Sequence, residues 1–321
     1  MKVLVSLDIP EIGVQLLRDE GLEVTAWAHD HPMTQEQLLE ASLKHDALLS
    51  SSIYQLDKHF LQRCKHLKII SQFSAGFDNI DLVEANQLGI PFANAPNAMT
   101  DATADVAFGL MLAVSRKLFF LYKTVMLGEW GHFRPKAYLG QELKHKTVGV
   151  FGLGNIGMAF AKRCKGAYDM DILYHNRKPN LEAEKALGAR YVSFEELLQR
   201  SDVLSVHSVL NEQTRYIFNY DVFQRMKPTA IFINTARGGI HNQADLTKAL
   251  QEGLIWGAGL DVTDPEPMAP NDPLLKMENV AITPHIGSAT VNARDEMSRL
   301  AALNIIAFAR GEKIPNLVLA G

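Results

Sequence analysis

Hydrophobic positions along the chain follow two alternating patterns. Short β-branched runs recur, and most are followed by stretches whose apolar positions repeat at helical spacing. That alternation predicts a parallel α/β architecture. In the first part it predicts strands over residues 2–6, 23–26, 47–50, 68–71 and 91–93, with a helix over 81–88 stopped by Gly89. Thr100 is placed to cap a long apolar-rich helix running from Asp101 to about Leu127. A stretch punctuated by Gly and Pro, 128–140, reads as a change of domain. Six further strands are expected at 147–151, 171–174, 202–207, 230–235, 256–262 and 279–283, the number in a complete dinucleotide-binding sheet. Between them Ser193-Phe-Glu-Glu196 reads as a capping box, and Gly253 closes a helix that starts near Asn242. The last helix, 290–309, has no strand of its own to serve and is expected to pack back on the first domain. The expected division is therefore 1–98 with 289–321, and 99–288.

Composition narrows the class. A length of 321 residues suits about two domains of roughly 150 each. Apolar residues at 47% and charged residues at 21% exclude a disordered or fibrous chain. A net charge of −4, with no long run of either sign, gives no electrostatic footprint for nucleic acid or an anionic membrane. The longest apolar stretches, such as 106–114, are too short to span a bilayer, and Asp8 interrupts the start too early for a signal-peptide core. A cytoplasmic protein is expected. Cys64 and Cys164 lie far apart, so neither a disulfide framework nor a metal cluster is expected.

Gly152-Leu-Gly-Asn-Ile-Gly157 lies directly between a predicted strand and a predicted helix. There Gly152 permits a tight turn, Gly154 lets the backbone approach a pyrophosphate, and Gly157 allows close helix–strand packing. The helix N-terminus offers N–H groups and the positive end of its dipole. The next strand ends in Tyr174-His-Asn-Arg-Lys-Pro179, with no acid to accept from the ribose hydroxyls. Cations stand there instead, so NADP(H) is the expected cofactor, Arg177 its main contact and Asn176 and Lys178 secondary; NAD(H) stays open. One Arg–phosphate contact contributes about 1.5–3 kcal/mol, roughly ten- to a hundredfold in affinity.

Three polar residues fall at or just past the carboxyl ends of predicted strands: Arg237, Asp261 and His285. That edge is where ligands bind in a doubly wound sheet. Glu266 lies in Asp264-Pro-Glu-Pro267 on the same edge. An arginine can hold a 2-oxo carboxylate bidentately, and a histidine can protonate the developing alkoxide. A carboxylate beside the histidine orients it and favours its charged form. Asp264 competes with Glu266 for that last role.

These segments resemble the D-isomer-specific 2-hydroxyacid dehydrogenase family over essentially the whole chain, nearest to its glyoxylate/hydroxypyruvate reductases. The resemblance rests on 152–157, 234–238, 259–262, 264–267 and 284–288, with Arg177 and Asn271-Asp-Pro-Leu-Leu275 as local support. It implies two Rossmann-like domains, the substrate domain flavodoxin-like and discontinuous, with the active site between them. Arg237, Glu266 and His285 match the catalytic set. Ala75 and Gly76 would offer N–H groups to the substrate carboxylate. Cofactor contacts would include Thr103, Asn155, Ile156, Ser208, Thr214, Thr235, Ala236 and Gly287, with Asp261 at the nicotinamide carboxamide. A homodimer through the cofactor domain is implied as well. Two departures from the family stand out. Phe133 replaces a tryptophan that can reach the partner's active site, although Trp130 is near, and Val209 stands where many members have proline. The regulatory domain of some phosphoglycerate dehydrogenases in this family is not expected. Other expected readings are a 2-ketogluconate, phosphoglycerate, formate or phosphite dehydrogenase, or a dinucleotide-sensing corepressor-like binding protein.

Overall fold

In the computed structural model, which describes residues 1–319, the alternating pattern resolves into two parallel sheets belonging to two units. Ala320 and Gly321, the end of the expected 289–321 segment, lie outside the described residues. One unit comprises Met1–Met99 and the segment from Ala289 onward, the other Thr100–Ser288.

The first unit runs β1 (Lys2–Val5), α1 (Glu11–Asp19), β2 (Glu23–Ala26), α2 (Gln35–Ser42), β3 (Ala47–Ser50), α3 (Lys58–Arg63), β4 (Ile69–Gln72), α4 (Leu82–Gln87) and β5 (Phe92–Ala93). Its sheet order, β2-β1-β3-β4-β5, is flavodoxin-like. Side-chain caps at Thr34, Asp57 and Asp81 satisfy first-turn N–H groups of α2, α3 and α4.

The second unit contains α5 (Thr100–Ser115), α6 (Leu118–Met126), β6 (Thr147–Phe151), α7 (Asn155–Tyr168), β7 (Asp171–His175), α8 (Leu181–Leu187), β8 (Arg190–Tyr191) and α9 (Phe194–Arg200). It continues with β9 (Val203–Val206), α10 (Tyr220–Phe223), β10 (Ile231–Asn234), α11 (Gln243–Gln251), β11 (Gly257–Leu260) and β12 (Val280–Ile282). The order β8-β7-β6-β9-β10-β11-β12 is the dinucleotide-binding order with one strand added at the β12 edge. The direction of winding reverses between β6 and β9, the crevice where such sheets hold their ligands. The residues of β9, β10 and β11 are buried on both faces, as the centre of a parallel sheet covered by helices requires. Val148, Val150, Ile231 and Ile233 pack with Leu110 and Val114 of α5 on one side. Leu204, Phe232 and Leu260 pack with Phe218 and Phe223 on the other. The chain then returns to the first unit as α12 (Val291–Ala309), packed on α1 and β4. A Cβ on Gly13 would stand 2.4 Å from the Ser298 carbonyl oxygen, so the α1–α12 approach requires glycine.

The stretch 128–140, expected as a change of domain, lies inside the second unit, and three expectations about local structure are corrected. The single helix of residues 101–127 is two, broken at Lys117, which takes a left-handed φ of 54°. No Gly or Pro marks that break. Contacts distant in sequence accompany it: Lys117 Nζ lies 3.0 Å from Glu278 Oε2 and 5.4 Å from the Trp256 ring centre. Thr100 is the first residue of α5 rather than its cap. Seven strands, not six, form the second sheet, because β8 is two residues long and too short to show a period. No helix among the described residues is long and apolar enough to cross a membrane.

Candidate active site

The glycine loop joins β6 to α7 at the reversal point of the second sheet. Gly152 has φ 97°, and a Cβ there would lie 2.6 Å from Ser208 N, so only glycine fits. A Cβ on Gly157 would meet Gly152 O at 2.6 Å, which shows how closely α7 seats on its loop. A Cβ on Gly154 would meet nothing within 4 Å, so that backbone is open to a ligand. Asn155 and Ile156 begin α7, whose first-turn N–H groups have no partner within the helix. Two hydroxyls at this edge, Ser208 Oγ and Thr235 Oγ1, are buried without a partner among the described residues. Buried polar atoms are rarely left so. An open glycine cradle, a helix N-terminus and two orphaned hydroxyls together fit a dinucleotide.

Beyond β7 the Asn176 amide turns toward this loop. Its Oδ1 accepts from Leu153 N at 2.6 Å, and Asn180 Nδ2 donates to Leu153 O at 3.0 Å. The Asn176 side chain therefore braces the cradle. Arg177 and Lys178 are exposed and form no ion pair among the described residues. Thr214 Oγ1 donates to Val209 O at 2.7 Å, closing the loop after β9. Val209 itself is 67% exposed.

The structure brings Glu266 and His285 together. His285 Nδ1 lies 2.5 Å from Glu266 Oε1. His285 has φ 51°, and its main-chain N–H donates to Asp261 O at 2.9 Å. The carboxylate of Asp261, buried to 1% exposure, holds the rest of that turn. Its Oδ1 accepts from Thr283 Oγ1 at 2.7 Å and Ile286 N at 2.8 Å, and its Oδ2 from Gly287 N at 2.8 Å. Thr103 Oγ1 donates to Gly287 O at 3.0 Å, tying α5 to the same turn. Asp261 and Thr103, both expected at the cofactor, thus also build the platform for His285.

Burial pushes the Glu266 carboxyl up. The hydrogen bond and charge of His285, the Thr263 N–H and the charge of Arg237 outweigh it and hold the group below the ordinary glutamate value. Asp264 goes elsewhere: its Oδ2 accepts from the Tyr216 hydroxyl at 2.6 Å.

Arg237 follows β10 in an extended conformation, its Nη1 donating to Ala236 O at 2.8 Å. The turn carrying it is braced by buried Asn234. That side chain accepts from Ala236 N at 3.0 Å and donates to Arg237 O at 2.9 Å. Asn234 Nδ2 also lies 3.0 Å from His241 Nδ1, which makes that nitrogen the acceptor and places the proton on Nε2, itself without a partner. Burial pushes the His241 imidazole down to about 4. His241 was missed in the sequence because its neighbours in Gly-Gly-Ile-His-Asn carry no motif; only the three-dimensional contact with Asn234 gives it a part.

Ala75 and Gly76 lie in the first unit, in the loop after β4. Gln72 Nε2 donates to Gly76 O at 2.6 Å, and Asn94 Nδ2 to Ala75 O at 2.7 Å, so both carbonyls are fixed from behind. Among the described residues no group of His, Cys, Asp and Glu could hold a metal ion.

Residues 108–287 match the family described as D-isomer specific 2-hydroxyacid dehydrogenase, NAD binding domain. The chain belongs to the D-isomer specific 2-hydroxyacid dehydrogenases. Within that family it is 44% identical to the glyoxylate reductase of Thermococcus litoralis, over 99% of this chain and 96% of that one. The glyoxylate reductase of Pyrococcus furiosus is 43% identical, over 99% and 95%. Among solved structures it is similar to a glyoxylate reductase from Paecilomyes thermophila, at 33% identity and a TM-score of 0.88, covering 99% of this chain and 98% of the other.

Proposed function

We propose that the protein reduces small 2-oxo acids, glyoxylate to glycolate and hydroxypyruvate to D-glycerate, using NADPH in preference to NADH. The observation that carries this reading is the 2.5 Å contact between His285 and Glu266, on the sheet edge that also bears Arg237 and the glycine cradle. The names of the full-length relatives from Thermococcus and Pyrococcus support the substrate class.

The bound dinucleotide would supply a hydride to the substrate's C2. Arg237 grips the carboxylate and polarises the neighbouring carbonyl. Glu266, held ionised at neutral pH, accepts from His285 Nδ1 and fixes the ring so that Nε2 faces the substrate oxygen. His285 gives that oxygen its proton as negative charge develops there. Gly152, Gly154, Asn155, Ile156, Ser208, Thr214, Thr235, Ala236 and Gly287 would surround the cofactor. Arg177, with Lys178, would pair with a 2′-phosphate, and the exposure of both supports that role. The first unit would be the substrate-binding domain. A second copy of the chain would cover the exposed apolar side chains of α6, Leu118, Phe119, Tyr122, Val125 and Met126. A cytoplasmic location accords with this metabolic role.

Initial rates with glyoxylate and hydroxypyruvate, each with NADPH and NADH, test the proposal. Fast turnover with NADPH and slow turnover with NADH is the expected result. No turnover of either acid with either cofactor would overturn it.

A further inference from the structure

Tyr216, in the loop between β9 and α10, has a left-handed φ of 49°. A bulky side chain persists in that region only where its surroundings over-determine it. Two bonds hold it. Its main-chain N–H donates to Gly239 O at 2.9 Å, two residues beyond Arg237. Its hydroxyl donates to Asp264 Oδ2 at 2.6 Å, two residues before Glu266. Asp264 is secured from the other side by its own N–H, which donates to Gln243 Oε1 at 2.9 Å. The two loops also touch directly: a Cβ on Gly238 would stand 1.9 Å from Thr263 O.

We infer that Tyr216 is a positioning residue, a clamp whose main chain holds the Arg237 loop and whose phenol holds the Glu266 loop. It thereby sets the separation between the guanidinium and the His285–Glu266 pair. This rests on the roles proposed above for Arg237, Glu266 and His285. Tyr216 acts through the two loops and need not touch substrate. Its phenol is the chemically separable half of the clamp, because Tyr216→Phe removes the hydroxyl and leaves the main-chain bond in place.

The test combines steady-state kinetics with amide hydrogen exchange. In Tyr216→Phe, kcat falls roughly three- to tenfold, the scale of one partly exposed hydrogen bond to a carboxylate, while the KM for NADPH is unchanged. Amides of Thr263, Asp264 and Glu266 exchange faster, and those of 237–240 do not. Asp264→Ala reproduces both effects, and the double variant is no worse than either single one. Asp264→Asn, which keeps an acceptor for the phenol, retains most of kcat. Unchanged exchange at 263–266 in Tyr216→Phe, or equal losses in Asp264→Asn and Asp264→Ala, would overturn the clamp. Failure of the unaltered enzyme to reduce either acid would instead overturn the proposed function, while exchange at 263–266 still decides whether the phenol holds the loop.

Discussion

Replacing Asp261 by Asn removes one charge and a single acceptor, yet a large effect is expected. The carboxylate is buried and accepts three hydrogen bonds, from Thr283 Oγ1, Ile286 N and Gly287 N. An asparagine has one oxygen. If that oxygen keeps the Thr283 and Ile286 bonds, the new NH2 group faces the Gly287 N–H. If the amide flips, Gly287 is served and the Ile286 N–H is opposed instead; the Thr283 hydroxyl alone can rotate to accept. Either way one main-chain donor loses its partner beside a second donor. Loss of a charge-assisted bond costs about 1.5–3 kcal/mol and an unsatisfied donor about 1–3 kcal/mol. The expected destabilisation is therefore about 2.5–6 kcal/mol. Urea unfolding at neutral pH, followed by tryptophan fluorescence, measures it. The same turn carries His285, so kcat should fall by roughly a hundredfold, the scale of a displaced general acid. A stability loss below about 1 kcal/mol, or a kcat near that of the unaltered protein, would refute the view that Asp261 builds the His285 platform.

Three further outcomes are expected. Arg177→Ala should raise the KM for NADPH roughly ten- to a hundredfold and leave that for NADH unchanged; equal effects on both would remove Arg177 from the 2′-phosphate. Gly152→Ala forces a Cβ to 2.6 Å from Ser208 N at φ 97°, so fluorescence titration with NADPH should show at least roughly tenfold weaker binding, and an unaltered affinity would contradict the cradle. The Glu266 carboxyl ionises below its ordinary value of 4.5, so its pairing with His285 contributes stability in full above that pH, and the contribution fades as pH falls through the lower folded value. The stability gap between the unaltered protein and Glu266→Gln should therefore close under acid conditions. It should be no more than about 1 kcal/mol for a pair so exposed. Thermal unfolding from pH 7 to pH 3 measures it, and a gap that widens in acid would contradict the sign.

Features legible in the sequence were those with a period or a backbone requirement. The alternation of strands and helices gave the α/β class, and Gly89 and Gly253 both take the left-handed φ expected where a helix stops. The glycine loop was readable because 152 and 157 each answer a steric demand and 154 leaves backbone open to a ligand. What escaped depends on contacts distant in sequence. The break at Lys117 has no Gly or Pro, and it coincides with contacts to Glu278 and Trp256. The Asn176 amide, expected at the cofactor, also accepts from Leu153 N, far earlier in the chain, a contact that no motif announces. Asp264 and Glu266 compete when read from position alone, and the family resemblance favours Glu266; the folded loop sends Asp264 to Tyr216 and Glu266 to His285.

The central claim is that His285 delivers the proton in a 2-oxo acid reduction. The most direct measurement is kcat for glyoxylate with NADPH in His285→Gln, set beside the NADPH dissociation constant of the same variant. The account predicts a kcat lower by roughly a hundredfold or more with dinucleotide affinity within about twofold. A kcat close to that of the unaltered enzyme would contradict it.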